Sequence, residues 1–340
     1  MTAWKFKIAT LALAASASMS AYAQEVTLRL HHFLPPQGTV PAKALVPWAQ
    51  KIEAESNGRI KIQLFPSMQL GGTPAQLFDQ VRDGVVDIGW TLPGYSPARF
   101  PKSEVFELPF MAGPSAEKTS RALWEYVQKN AMDEYKDVHV LALHTHGPGL
   151  IHTKQPITGL ESMRGMKVRG GTRVVNSMLV KLGATPVGMP VPAVTEALSK
   201  GVLDGTTIPW EVLPALKVQE LVKNHTTFAG GKALYVTTFV LAMNKASYNK
   251  LPADLKKVID NNSGADLSAK IAVTMDQGDI VGRDLALKAG NKITELDVAE
   301  VQRWKRTAST VESEWVKDAK NVDGAKLLAE ARAAIAKYEK

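Results

Sequence analysis

Arg169 closes a short basic-apolar segment, Lys167-Val168-Arg169, and is followed at once by Gly170-Gly171. An arginine so placed can clamp a carboxylate, because a planar guanidinium matches two oxygens at once and keeps its charge. A surface or salt-bridged arginine is the other reading, and spacing alone leaves both open. The aromatics Phe33, Trp90, Tyr95 and Trp210 fall at expected strand ends or in the loops just after them. Rings there can wall an apolar pocket, or they can simply be core. His144 and His146 share one face of an expected strand at a spacing that suits zinc. No cysteine is present and no acid lies close by in sequence, so hydrogen-bonded histidines compete with that reading, as they do for His31, His32 and His152. Gly94-Tyr95-Ser96-Pro97-Ala98 lacks the second glycine of a nucleophile elbow and sets a proline where its helix should begin. No phosphate-binding or dinucleotide loop occurs. These residues call for neither an enzyme nor a cofactor.

The elements that must position Arg169 are legible over residues 163–210. Val174, Val175, Met178, Leu179 and Leu182 fall on one helical face that Gly183 ends. A strand through Val187, a helix opening at Pro192 and stopped at Gly201, and a strand through Ile208 follow. This alternation predicts a parallel sheet. Ligands gather at the carboxyl ends of such strands, where Arg169, Met189 and Ile208–Trp210 fall. Upstream, Val26–His31, Ile60–Leu64 and Val85–Gly89 read as strands, and Thr73-Pro74 opens a helix. Gly84-Val85-Val86-Asp87 is echoed by Gly201-Val202-Leu203-Asp204, which fits two similarly built α/β lobes offering strand ends to one cleft. Ser115–Asn130 predicts a helix, Val138–His144 a strand, residues 146–150 a crossing between lobes, and Tyr235–Met243 a strand returning to the first lobe. From Ala253 to about Lys288 the pattern is mostly helical. Asp297-x-x-Glu300 reads as a capping box, and Trp304 and Trp315 as core anchors of the helix after it.

The chain has 340 residues, 45% hydrophobic and 22% charged, which suits a soluble globular protein with room for two domains. Lys5 and Lys7, the apolar run Ile8–Met19 and Ala21-Tyr22-Ala23 predict a cleaved signal peptide over residues 1–23. The run is short for a membrane anchor, so the expectation is export to the periplasm. Loss of Lys5 and Lys7 with the leader lowers the net charge from +8 to +6. That charge suits an anionic ligand; its even spread, without interleaved aromatics, gives no sign of nucleic acid.

Beyond these readings, residues 24–330 resemble a solute-binding protein of a tripartite ATP-independent periplasmic (TRAP) transporter, of the dicarboxylate-binding-protein type. The resemblance is carried by Asn57-Gly58-Arg59-Ile60-Lys61-Ile62, Gln69-Leu70-Gly71, Gly84-Val85-Val86-Asp87, Phe106-Glu107-Leu108-Pro109-Phe110 and Gly165-Met166-Lys167-Val168-Arg169. Leu182–Val187 and Ala197–Gly205 complete it, in order. It implies an α/β, two-lobed periplasmic binding protein fold of type II-like build, its lobes joined by crossing strands and a long helix. The expected division is residues 24–146 with 236–275 in the first lobe and 147–235 with 276–340 in the second. It implies further that Arg169 is the carboxylate-binding arginine and that the receptor delivers its solute to the small and large membrane subunits; a monomer is the separate expectation. Two departures stand out. Gly147-Pro148-Gly149-Leu150 occupies the stretch where many relatives carry a second arginine, and Thr206-Thr207-Ile208-Pro209 replaces a more polar segment. Both point to a monocarboxylate with an apolar or aromatic body, held by Arg169 among His32, Phe33, Trp90, Tyr95, Met189, Ile208, Trp210 and Tyr235. A C4-dicarboxylate or small oxo- or hydroxy-acid is the competing ligand class, and metal capture through His144 and His146 a remote one.

Overall fold

Alternation sets the first strand: β1 (Val26–His32) buries Leu28 and Leu30 and exposes Thr27 and Arg29. The structure, a computed structural model, describes residues 26–319 and 322–339, so the expected leader lies outside the described residues. The further strands are β2 (Ile60–Phe65), β3 (Ile88–Thr91), β4 (Val138–Thr145), β5 (Leu150–Thr153), β6 (Lys167–Gly170), β7 (Thr185–Gly188), β8 (Gly205–Ile208), β9 (Asn224–Phe228), β10 (Thr238–Asn244) and β11 (Lys292–Leu296). They form two sheets, in the orders β2-β1-β3-β10-β4 and β11-β9-β5-β8-β6-β7. β1 pairs in parallel with β2 and β3, and β6 in parallel with β7 and β8. The two strands that follow a crossing, β5 and β10, run antiparallel to their neighbours.

The echoed tetrapeptides do the same structural work in both sheets. Gly84 (φ 74°) and Gly201 (φ 73°) end their helices in a left-handed turn that glycine adopts without strain. Asp87 then accepts the backbone N–H of Arg29 at 2.8 Å, and Asp204 that of Lys167 at 2.8 Å. Each acid thereby sets the register between one strand and its parallel neighbour. The expected third strand at residues 85–89 begins later, at Ile88, because Val85 and Val86 donate to Gln80 O in the helix-ending turn.

The crossings lie side by side. Gly149 N donates to Tyr235 O at 2.9 Å and Leu234 N to Gly149 O at 3.1 Å. Tyr235 therefore belongs to the crossing, and the returning strand starts only at Thr238. The helix Ala265–Lys288, separated from Ala253–Asn261 by Gly264 (φ 86°), ties the lobes together. Its Asp276 accepts from Ser115 Oγ, Ala116 N and Glu117 N at 2.7–3.1 Å, capping the first-lobe helix Ala116–Asn130. One turn later Asp279 accepts Glu211 N at 2.8 Å, gripping the turn that leaves β8. Gly282 permits the approach, since a Cβ there would lie 2.0 Å from Trp210 O.

At the C-terminus the expected division needs correction. The helix Val298–Asp318 packs on the second-lobe helix Arg173–Lys181, but Gly324–Glu339 lies along Ala116–Asn130 of the first lobe. There Lys337 and Tyr338 bind Glu125. A buried stripe on the last helix, Leu327, Leu328, Ala331 and Ile335, has that helix to cover it. The expected capping box is half present. Asp297 accepts Glu300 N at 2.8 Å, whereas the Glu300 carboxylate takes Leu160 N at 2.6 Å and Trp304 Nε1 at 2.9 Å.

Neutral histidines run through both cores. Trp90 Nε1 donates to His144 Nε2 at 2.9 Å, and Thr237 N to His146 Nε2 at 3.0 Å. Their Nδ1 atoms face Thr145 O and Gly147 O, so each ring has one nitrogen accepting and the other donating. Neither keeps a lone pair for zinc, and among the described residues no group of three or more ligating side chains is placed to hold a metal. In the second lobe His152 and His225 join through Nδ1 atoms 2.7 Å apart, with Ile208 O and Asn291 as outer partners. Burial pushes His144 down to about 3, His146 and His225 to about 4, and His152 well below its ordinary value.

Two outcomes follow from this architecture. Gly282→Ala must push the long helix off the turn at Trp210. It should lower the melting temperature by several degrees, matching the roughly 1–3 kcal/mol that overpacking costs, while Ile280→Ala at the exposed surface changes it little. The histidines also bind fewer protons folded than unfolded. Their contribution is complete above the unfolded value of 6.5 and is lost as pH falls toward 3–4. Glu107, Glu134 and Glu211, raised by burial to about 7, act oppositely, contributing fully below 4.5 and less as pH rises through 7. Thermal melts should therefore peak between about pH 6 and 7 and fall steeply on the acid side. A melting temperature constant from pH 7 to 4.5 would contradict the neutral-histidine assignment.

Candidate functional site

β6 ends where β8 and β7 also end, and Arg169, in register between Thr206 and Val187, is carried there by the strand itself. The side chain is 3% exposed. Its Nε donates to Met189 O at 2.9 Å and an Nη to Thr207 O at 3.0 Å. Thr207 Oγ1 in turn donates to Arg169 O at 3.0 Å, tying β8 to β6 at this point. Two neutral carbonyls thus fix the guanidinium plane. Among the described residues no carboxylate forms a salt bridge with it.

Arg169 faces a cleft between the lobes, where small-ligand sites of two-lobed proteins usually lie. The first lobe contributes Phe33, Leu34, Trp90, Leu92, Tyr95, Thr237 and Phe239; the second contributes Arg169, Gly171, Val191, Ile208, Pro209, Glu211 and Val212; His146 and Tyr235 come from the crossings. The rings are ordered across the strand ends. Phe33 stacks on Trp90 with centroids 5.1 Å apart, and Trp90 on Phe239 at 5.1 Å. Tyr95 meets Phe33 edge-on at 5.8 Å. Such a wall offers flat apolar faces and few donors.

Three contacts join the lobes at the cleft. Tyr95 Oη accepts Val191 N at 3.0 Å and lies beside Arg169. Glu104 pairs with Arg173, and its carboxylate also takes Trp315 Nε1 at 3.0 Å. Glu107 accepts from Thr238 N and Oγ1 at 3.2 Å and from the side chain of Thr172, the N-cap of the helix Arg173–Lys181. Burial raises the Glu107 carboxyl to about 7. The Tyr235 phenol, hydrogen-bonded to Thr207, is raised by burial to about 12.

Of the residues expected at the site, Arg169, Phe33, Trp90, Tyr95, Ile208 and Tyr235 line the cleft. Met189 serves through its backbone carbonyl behind Arg169 rather than through its side chain. His32 does not line the cleft: it pairs in register with Trp90, and the larger indole reaches the cavity while His32 sits edge-on to it at 6.4 Å. Trp210 does not line it either. After the extended Pro209 the chain turns, so Trp210 enters the second lobe against His152 and His225, and Glu211 takes the cleft side. His146, expected from its spacing as a possible zinc ligand, lines the cleft instead, and Phe239, Val191 and Glu211 were missed. Alternation along β10 could have signalled Phe239; the turn that selects Glu211 over Trp210 left no local mark.

With the cleft described, its likeness to known proteins is informative. Residues 30–318 match the bacterial extracellular solute-binding protein family 7, DctP. The chain is 30% identical over 317 residues to the outer membrane transporter protein TsaT of Comamonas testosteroni, covering 92% of each. It is 53% identical to a TRAP solute-binding protein from Rhodoferax ferrireducens T118, whose crystal structure is a complex with copurified benzoate. The TM-score is 0.90, with 92% of this chain and 98% of that one covered. A marine metagenome TRAP solute-binding protein specific for aromatic acid ligands, in complex with 3-hydroxybenzoate, is 50% identical with a TM-score of 0.91, covering 94% and 100%. Two sheets built on one plan, a cleft between them and an arginine at its strand ends are accordingly those of a TRAP solute receptor, and the chain belongs to the bacterial extracellular solute-binding protein family 7.

Proposed function

We propose that this chain is exported by a cleaved signal peptide and captures an aromatic monocarboxylate in the periplasm, as a monomer, for delivery to the membrane subunits of its transporter. One observation carries the ligand class: among the described residues that line the cleft, Arg169 is the sole lysine or arginine, and it faces a wall of stacked rings. A ligand carboxylate would take the guanidinium edge left by Met189 O and Thr207 O, forming charge-assisted hydrogen bonds in a site that excludes water. Phe33, Trp90 and Phe239 would receive the ring. A second carboxylate would find no cation and would remain desolvated, which disfavours C4-dicarboxylates. Benzoate-, phenylacetate- and cinnamate-like acids fit this chemistry, and the ligands of the two related structures are of the same kind. No step of this reading requires turnover.

Calorimetry and thermal melts test it together. Benzoate or phenylacetate at a hundred times its dissociation constant should add about 2.7 kcal/mol to the stability of the folded protein and raise its melting temperature, whereas succinate should leave it unchanged. Arg169→Ala should weaken aromatic-acid binding by at least about tenfold, since removing one partner of a buried charge pair costs about 2–5 kcal/mol. Arg169→Lys should fall between, because an ammonium cannot satisfy both carbonyls and a bidentate carboxylate. Wild-type affinity in Arg169→Ala would remove the clamp, and a succinate shift without a benzoate shift would remove the ligand class.

A further inference from the structure

The clamp accounts for one end of a ligand. At another polar point of the cleft stands Glu211, an acid in a largely aromatic and apolar wall. It is 3% exposed, and its Oε2 is a buried atom with no hydrogen-bond partner. Among the described residues lining the cleft, no other side chain holds such an atom. Its main chain is pinned: its N–H is held by Asp279 Oδ1 at 2.8 Å, its carbonyl accepts Thr39 Oγ1 at 3.0 Å, and Gly278 of the long helix packs against its Cβ. The Thr39 side chain is also a hydrogen-bond neighbour of its carboxyl group. No salt bridge neutralises it among the described residues, and another acid, Asp279, is close enough that Glu211 helps to raise its carboxyl above the ordinary value. A buried carboxyl oxygen left without a donor is costly, so a residue that lines a ligand cavity and carries one favours a ligand that supplies the donor.

We infer that Glu211 is a specificity-determining residue that accepts a hydrogen bond from a ring hydroxyl, so that the receptor prefers hydroxylated aromatic acids to unsubstituted ones. This rests on the aromatic-acid reading above and sharpens it. Three other polar side chains of the wall, His146, Tyr95 and Tyr235, are already committed. Both nitrogens of His146 are bonded, Tyr95 Oη takes Val191 N, and the Tyr235 phenol engages Thr207. A hydroxyl suits Glu211 in either protonation state, since a carboxylate oxygen and a carboxylic C=O both accept. A second carboxylate suits the ionised Glu211 poorly, because like charges would meet without water. A site built to bond a hydroxyl discriminates strongly against the analogue that lacks it, because the buried acceptor is then stranded.

The test is isothermal calorimetry at pH 7 with benzoate, 3-hydroxybenzoate, 4-hydroxybenzoate and isophthalate, on the mature protein and on Glu211→Gln and Glu211→Leu. The wild type should bind one of the hydroxybenzoates at least about tenfold more tightly than benzoate, and isophthalate more weakly than benzoate. Glu211→Leu should bring the hydroxybenzoate-to-benzoate ratio to within about twofold. Glu211→Gln keeps an accepting oxygen and nearly the same shape, so it should retain the hydroxyl preference while the penalty against isophthalate shrinks severalfold. Equal wild-type affinity for benzoate and both hydroxybenzoates overturns the inference while leaving the aromatic-acid function standing. An unchanged ratio in Glu211→Leu, or an unchanged isophthalate penalty in Glu211→Gln, also overturns it. Failure of every aromatic acid to bind, with another acid binding through Arg169, removes the aromatic-acid function and this inference with it.

Discussion

The hydrogen bonds from the Arg169 guanidinium to Met189 O and Thr207 O are the constraint around which the second lobe is arranged. A buried guanidinium is expensive unless it is bonded and its charge is balanced. The two carbonyls bond it without balancing it. One comes from within β8 and the other from the residue just past β7, so the geometry of the arginine depends on β6, β7 and β8 keeping register with one another. Asp204, on the backbone of Lys167 at the opposite end of β6, helps maintain that register. The result is a rigid donor fork with an unspent charge, the physical requirement for capturing an anion from water.

A receptor of this kind also needs two lobes that meet accurately. The long helix supplies that by gripping both, with Asp276 on the helix Ala116–Asn130 and Asp279 on the turn at Glu211, one helical turn apart. The crossings at Gly149 and Tyr235 bond to each other directly. At the cleft, Tyr95 with Val191, Glu104 with Arg173, and Glu107 with Thr172 complete the junction. Tyr95 is on the cleft wall and in the junction at once, so it couples what fills the cleft to how the lobes meet.

Much of this was legible in local patterns. Helix-ending glycines, strand alternation and the paired tetrapeptides carried the two-lobed α/β organisation, because each expresses backbone chemistry acting over a few residues. Arg169 was legible as a candidate because it ends a strand beside two glycines. The aromatics were legible only as a set. Phe33 and Trp90 reach the cleft, whereas Trp210, equally aromatic and equally near a strand end, lies in the second core with His152 and His225. His144 and His146 have ligand-like spacing, but their nitrogens are taken by Trp90, Thr145, Gly147 and Thr237, partners that come largely from other strands.

The sequence by itself determined the lobes, their strand-helix order and the charged residue at the strand ends, since those follow from periodicity and turn chemistry within short stretches. Tertiary structure alone decided which side of the turn after Pro209 faces the cleft, and therefore that Glu211 and not Trp210 meets the ligand space. It decided likewise that the last helix returns to the first lobe. Both depend on a turn's exit direction and on which apolar face is left to cover, quantities that arise only when distant segments pack against one another.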